Sequence, residues 1–136
     1  MNPAPVRVRR DKHASFTAVN ARGAEIKIGR SQDGPDFSPV ELLMAALGAC
    51  AGLSADNVIA RRLGEDAPVE VLVDADKDEE ADRLTKIRMS FDVDLSSLTP
   101  AERTVLATLA ERAVERTCTV SHTVEPGTPV DLLPIT

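Results

Sequence analysis

The sequence predicts an α+β fold in which antiparallel strands pack on two helices. The first observation is that short segments of alternating apolar and polar residues lie on both sides of one long apolar stretch. The second is a helix-start pattern that occurs twice, at Ser38-Pro39-Val40-Glu41 and at Thr99-Pro100-Ala101-Glu102. The third is an acidic segment, residues 76–82, which lies between two alternating segments and predicts a solvated hairpin tip. A length of 136 residues is typical of one domain, so we expect residues 1–136 to form a single domain.

Three short strands are predicted before the first helix, at residues 6–10, 15–20 and 24–29. The third strand alternates most clearly, through Ala24, Glu25, Ile26, Lys27 and Ile28. Residues 30–37 contain Asp, Gly and Pro, and this composition predicts a loop.

The first helix is predicted to begin at Ser38, because Glu41 follows it at the spacing of a capping box. The helix continues to about Leu63, and Gly64 ends it. Residues 42–53 contain no charged side chain. A helix that is apolar on nearly all sides belongs in an interior or under a partner subunit.

A hairpin and a second helix follow in the prediction. Residues 69–77 and 86–95 alternate as two strands, and the apolar face of the second consists of Ile87, Met89, Phe91, Val93 and Leu95. The second helix has one apolar stripe and ends near Cys118. Residues 121–133 are predicted to supply one or two closing strands, interrupted by two prolines.

Composition argues against several classes of partner. The chain has three Phe and no Trp or Tyr, whereas proteins that bind single-stranded nucleic acid use aromatic stacking platforms. Its net charge is -6, whereas phosphate contacts require a basic surface. No apolar run is long enough to span a membrane, and the first residues lack the apolar stretch of a secretory signal. We therefore expect a cytoplasmic protein, in which two cysteines are free, catalytic or redox-sensing.

The cysteines are the candidate reactive groups. At about 100° per residue, the helical neighbours of Cys50 are Leu43, Ala46, Leu47, Leu53, Ser54 and Asn57. Glu41 lies nine residues earlier, about 180° round the helix, so it does not reach Cys50 within one helix. A free cysteine on an apolar face commonly acts as a small hydrophobic residue. Cys118 lies at a helix end, where reactive groups concentrate, so each thiol has a core and a reactive interpretation.

A reactive thiol needs a group that stabilises its thiolate, and the middle of a helix is far from the positive end of the dipole. A partner subunit could supply a cation, and the candidates within this chain are Lys12, His13, Arg22, Arg30 and His122. Cys118 and His122 could bind zinc together with Cys50 and a second histidine, but only one pair has a short spacing. Ser54 or Ser121 could perform acyl transfer, but neither lies in a glycine elbow. We therefore expect no metal and no cofactor.

Two blocks, "SPVELLMAALGACAGLSADNV" at residues 38–58 and "CTVSHTV" at residues 118–124, resemble the OsmC family, which includes the OsmC and Ohr hydroperoxide reductases. The matching residues are Pro39, Glu41, Leu42, Leu43, Cys50, Cys118, Val120, Ser121 and His122. The resemblance implies an OsmC-like fold and an intertwined homodimer with active sites at the interface. It also implies that Cys50 attacks an organic hydroperoxide and becomes a sulfenic acid. Cys118 would then form a disulfide with it, which a dithiol reduces.

The chain departs from the hydroperoxide reductases at two points. Thr119 follows the second cysteine, where a proline is usual. The reductases hold the first cysteine ionised with an Arg–Glu pair, whose glutamate position falls here on Val40 and whose arginine position falls near His13 and Ala14. The chain therefore resembles the less characterised branches of the family more than the Ohr proteins. Glu41 has a catalytic interpretation beside its capping one, and the repeat of the pattern on the second helix favours the cap.

Two classes of function follow. The first is a thiol peroxidase that reduces organic hydroperoxides through Cys50 and Cys118, acting as a homodimer with a dithiol reductant. The alternative is a non-catalytic member of the same family that binds a hydrophobic small molecule or senses redox state. The separation of the two cysteines, together with any cation beside Cys50, distinguishes these hypotheses.

Overall fold

The computed structural model describes residues 1–135, which divide into two compact units, Met1–Leu43 and a second from Met44 onward. The elements of these residues are, in chain order, β1 Arg7–Lys12, β2 Ser15–Val19, β3 Glu25–Gly29, a 3₁₀ turn at Ser31–Asp33, α1 Pro39–Leu63, β4 Val69–Asp78, β5 Arg83–Val93, α2 Pro100–Thr117 and α3 Thr119–Val124. Both sheets are antiparallel, which confirms the α+β class. The helix α1 begins in the first unit and lies mostly in the second.

The first unit is built on a three-stranded sheet in the order β1-β2-β3. Its central strand carries the fully buried Thr17, whose hydroxyl donates a hydrogen bond to the carboxylate of Asp11 on β1. The turn between β2 and β3 is organised by Asn20, whose side-chain oxygen accepts from the backbone N–H groups of Arg22 and Ala24, each at 3.0 Å. All three strands predicted for this region are therefore present, with ends that differ by one or two residues.

The second unit contains the hairpin of β4 and β5. On its exposed face, Arg88 donates to both carboxylate oxygens of Asp76, at 2.9 and 3.0 Å, and its Nε lies 2.7 Å from Asp74. The strands pair as far as Asp78 with Arg83, so the turn is shorter than the acidic tip predicted from residue 76. Acidic side chains of the tip are thus part of the ladder, where arginine and lysine offset their charge.

The helix α1 packs against β4 through two glycines. A Cβ atom on Gly48 would lie 2.8 Å from Cγ2 of Val73, and one on Gly52 would lie 3.6 Å from Cγ2 of Val71. Helix and strand therefore approach most closely at Gly48, where only a residue without a side chain fits. The buried residues of α1 form one stripe: Leu47, Gly48, Ala51, Ala55 and Ile59.

The core of the second unit lies between α1, α2 and the segment before α2. Its buried members are Ala55, Ile59, Leu98 and Leu106, surrounded by half-buried residues that include Phe91, Ala110 and Val114. The other sides of α1 are open in a single chain, and Leu53 is 78% exposed. One stripe of α1 is therefore buried within the chain, and burial of its other sides under a partner subunit stays a prediction.

Two other sequence-based expectations are corrected. By length and composition α1 could cross a membrane, although its packed stripe is that of a core helix. The closing strands predicted at residues 121–133 are wrong: Thr119–Val124 forms α3, and residues 125–135 contain no strand. The backbone N–H of His122 donates to Cys118 and that of Glu125 to Ser121, so helical bonds satisfy this segment locally.

Candidate active site

The two cysteines come from different elements of the second unit. Cys50 lies in the middle of α1 and is half-buried, whereas Cys118 is fully buried at the junction of α2 and α3. The backbone N–H of Cys118 donates to Val114 of α2, and its carbonyl accepts from His122 of α3, both at 3.0 Å. The backbone of Cys118 is therefore held by hydrogen bonds to both helices.

The structure brings the two thiols together in reduced form. The Cys50 side chain is close enough to the Cys118 thiol to act on its pKa, and the hydroxyl of Ser121 lies 3.1 Å from the Cys118 Sγ. Burial raises the pKa of the Cys118 thiol, but hydrogen bonds from Ser121, Cys50 and the Val120 backbone outweigh it. The pKa of Cys118 consequently lies below its ordinary value, so its thiolate is the favoured form over a wider pH range.

Ser121 is a site residue that sequence reasoning treated as ordinary. Cys118 is the N-cap of α3, and Ser121, three residues after it, places its hydroxyl 3.1 Å from the Cys118 Sγ. This is the same spacing that joins Ser38 to Glu41, so the pattern could have indicated the contact. It requires knowing that a helix begins after Cys118, whereas the sequence predicted a helix end near Cys118 and strands in residues 121–133.

Glu41 has the geometry of a cap. Its backbone N–H donates to the Ser38 hydroxyl at 3.1 Å, and its carboxylate accepts from the Ser38 backbone N–H at 2.9 Å. Thr99 and Glu102 repeat this arrangement at the start of α2. The backbone and side chain of Ser38 lower the pKa of Glu41. The capping box predicted from the sequence is therefore confirmed, and the carboxylate has a structural partner.

The cationic side chains proposed to stabilise a thiolate differ in the residues that they contact. Lys12, His13 and Arg30 line one pocket of the first unit, where Arg30 also pairs with Asp33 at 3.0 Å and lies 3.4 Å from the His13 ring. Arg22 lies in the turn after β2. In the second unit, the Nε2 atom of His122 lies 2.6 Å from the Glu115 carbonyl.

A metal centre has no support in the described chain. Within residues 1–135, no three side chains of His, Cys, Asp or Glu converge in a cluster that could hold an ion. The His122 ring, which the zinc hypothesis needed beside Cys118, is engaged with Glu115 on α2.

Two cavities open in the second unit, and neither has Cys50 or Cys118 in its lining. A cavity of about 360 Å³ is lined by Leu47, Ile87, Met89 and Ser121, with charged residues at its exposed side, and Ser121 is the lining residue that also contacts Cys118. A second, of about 520 Å³, here called the apolar cavity, lies under β5 against α1 and α2. Ala51 lines it, one residue from Cys50 on the buried stripe.

Comparison with known proteins identifies the relatives of this fold. A sequence model described as OsmC-like protein matches residues 31–133. An uncharacterised protein of Mycobacterium bovis is 38% identical over 125 residues, which cover 92% of this chain and 91% of that one.

Solved structures share the fold at lower identity. A hypothetical protein from Aquifex aeolicus VF5 superposes with a TM-score of 0.71 at 20% identity, covering 94% of this chain and 91% of that one. The organic hydroperoxide resistance protein OhrB of Bacillus subtilis superposes with a TM-score of 0.55 at 22% identity, covering 89% of each chain. With a family match over most of the sequence and a relative of this identity, the chain belongs to the OsmC-like family.

Proposed function

We propose that this protein reduces organic hydroperoxides through Cys50 and Cys118. The observation that carries the proposal is the proximity of a half-buried thiol to a fully buried one whose pKa is lowered. The half-buried Cys50 meets the substrate, and Cys118, whose pKa is lowered, resolves the oxidised product. The Bacillus subtilis neighbour is an organic hydroperoxide resistance protein, which supports this substrate class.

The reaction has three balanced steps. The Cys50 thiolate attacks the outer oxygen of R–O–OH, the O–O bond breaks, and the alkoxide takes a proton to leave as R–OH. Cys50 is now a sulfenic acid. The Cys118 thiolate attacks the Cys50 sulfur, forming the disulfide and releasing hydroxide, which becomes water. A dithiol then reduces the disulfide by two thiol–disulfide exchanges and is itself oxidised to a disulfide.

The assay adds one equivalent of tert-butyl hydroperoxide and follows the intact mass. Wild-type protein should lose two hydrogens as the disulfide forms. Cys118→Ser protein should stop at the Cys50 sulfenic acid, which dimedone traps, and Cys50→Ser protein should form no disulfide. Thiols that remain unmodified after this treatment would remove the peroxidase proposal.

Ser121 provides a finer test of the resolving step. Ser121→Ala removes one hydrogen bond to the Cys118 thiolate, so disulfide formation should shift to higher pH while sulfenic acid formation at Cys50 keeps its rate. Thr123→Ala is the matched control, because its hydroxyl bonds the Thr119 carbonyl on the same helix. Equal pH profiles for both variants would show that Ser121 does not hold the thiolate.

We also propose that the working unit is a homodimer of one-domain chains in the cytoplasm. The family match spans both units, which supports one domain, and free thiols suit a reducing compartment. The chain alone exposes apolar side chains that a second copy would cover, among them Leu53, Val130, Leu132 and Ile135. Leu53→Lys should therefore lower the mass measured by light scattering to that of one chain. An unchanged mass would place Leu53 outside the interface.

The apolar cavity supports a second candidate, a binding module without catalysis. Its volume of about 520 Å³ lies in the range of small-molecule sites, and aliphatic side chains line most of it. Native mass spectrometry of protein from cells distinguishes the two functions. A retained ligand with thiols that do not react with hydroperoxide supports binding, whereas a thiol pair that cycles supports the enzyme.

A further inference from the structure

The short helix α3 has few contacts that could hold it besides its own hydrogen bonds. It has six residues, and none of the six is buried. Helices of this length are unstable in isolation, because nucleation fixes several residues for one hydrogen bond. Ser121, Val124 and the following Glu125 line the cavity of about 360 Å³, so this side of the helix borders open space. One tie to α2, from the His122 ring to the Glu115 carbonyl, is independent of the thiols.

The contact at the N-terminus of α3 is made by sulfur. Cys118 occupies the N-cap position, where Thr99 of α2 presents a hydroxyl oxygen. The Cys118 Sγ lies 3.1 Å from the Ser121 hydroxyl in the first turn. Burial raises the pKa of Cys118, but hydrogen bonds, first among them those from the side chain and backbone of Ser121, lower it below its ordinary value. These groups favour a thiolate, and an anion at a helix N-terminus stabilises the helix.

A disulfide weakens this contact. When Cys50 and Cys118 are oxidised, both sulfurs give up their protons, an S–S bond forms and two electrons pass to the oxidant. The Ser121 hydroxyl then faces a neutral sulfur, which is a weak acceptor and has no proton to donate. We infer that α3 is a redox-coupled segment, whose first turn is held by reduced Cys118 and released by the Cys50–Cys118 disulfide. The inference rests on the proposed function for this disulfide, but not for the hydroperoxide.

Reduction restores the contact. A thiolate of the dithiol attacks the Cys50 sulfur, because Cys118 is fully buried and, with its lowered pKa, is the better leaving group. The S–S bond breaks, and Cys118 leaves as the thiolate that Ser121 favours. The second thiolate of the dithiol attacks its own sulfur in the mixed disulfide, releases Cys50 as a thiolate and leaves the dithiol oxidised. The surface of α3 therefore differs between the two states of one cycle.

The experiment measures amide hydrogen exchange in both redox states of the whole chain. One equivalent of diamide forms the disulfide: this azo compound accepts two electrons and two protons and becomes a hydrazine, and the intact mass shows the loss of two hydrogens. The hydrogen-bonded amides of α3, among them that of His122, should exchange about fivefold faster in the disulfide form, the factor for one lost N-cap hydrogen bond. Amides in the ladder of β4 and β5 should keep their rates and are the internal control.

Ser121→Ala tests whether the sulfur contact is the link. In reduced protein this variant should raise the exchange rate of α3, whereas in the disulfide form it should not, because the contact is already lost. Its change in helix propensity acts in both states, so the difference between the states reports on the contact alone. Thr123→Ala is the matched control: its hydroxyl bonds the Thr119 carbonyl inside α3, so its effect should be equal in the two states.

Faster exchange of α3 after diamide, with an effect of Ser121→Ala confined to reduced protein, supports the inference even if hydroperoxides leave the thiols unmodified, in which case the peroxidase proposal alone fails. Equal exchange of α3 in both states overturns it, even if hydroperoxides form the disulfide. Equal effects of Ser121→Ala in both states also overturn it, because another contact then holds the helix. A chain in which diamide forms no disulfide overturns it as well. If Ser121→Ala does not fold, the two states of the wild type decide by the first criterion.

Discussion

Alanine substitutions at the two glycines of α1 should change stability in opposite directions. In the interior of a helix, Gly→Ala is worth about 1 kcal/mol in favour of the folded state, because glycine loses more backbone freedom on folding. At Gly52 the new methyl group would meet Cγ2 of Val71 at 3.6 Å, an ordinary contact. We therefore expect Gly52→Ala to raise the free energy of unfolding by about 0.5–1 kcal/mol.

At Gly48 the same methyl group would lie 2.8 Å from Cγ2 of Val73, which is closer than carbon atoms pack. Valine has one preferred rotamer per backbone environment and cannot swing its methyl away freely, so helix and strand must separate. Overpacking of this kind costs about 1–3 kcal/mol. After subtraction of the helix-propensity gain, Gly48→Ala should lower the free energy of unfolding by up to about 2 kcal/mol.

Urea unfolding of both variants at one fixed protein concentration measures the difference. Ala49→Gly measures the helix-propensity contribution alone, because Ala49 is exposed on the same helix. This variant should lower the free energy of unfolding by about 1 kcal/mol. The reasoning fails if Gly48→Ala is as stabilising as Gly52→Ala. That result would mean that α1 and β4 are farther apart than the 2.8 Å contact requires.

Two further predictions concern charged groups. Glu41→Gln keeps an oxygen that accepts a hydrogen bond from the N-cap backbone, and Glu102→Gln on α2 is the matched variant. After addition of hydroperoxide, the two variants should form the disulfide at equal rates. A loss of rate in Glu41→Gln alone would assign Glu41 to catalysis. Hydrogen bonds from Arg88 lower the pKa of Asp76, so this carboxylate contributes stability above its unfolded pKa, and the contribution is lost as the pH falls through the lower folded value. Urea unfolding at pH 6 and pH 3 should show a smaller difference for Asp76→Asn than for wild type, and an equal difference would mean that the pair is fully screened.

Local patterns in the sequence predicted the helix starts and the hairpin accurately. Both capping boxes formed as predicted, because a cap needs only residues three apart. The inward face of β5 followed from alternation alone, since period-two patterning fixes which side chains share a face. The segment after Cys118 was predicted wrongly because its Val and Thr residues have strand propensity, whereas the helical bonds to Cys118 and Ser121 decided its structure.

The exposures of the two cysteines show what helical phase can predict and what it cannot. The buried stripe of α1 advances by four residues at each step, from Leu47 to Ala51 and on to Ala55. Cys50 lies about 60° from Leu47 and about 100° from Ala51, so it falls at the edge of this stripe, which agrees with its half-buried state. No such phase exists for Cys118, because it lies between two helices whose relative direction depends on contacts distant in sequence. Helix geometry thus accounts for the partial exposure of Cys50, whereas tertiary packing accounts for the burial of Cys118. The sequence alone therefore could not show that the two cysteines lie together.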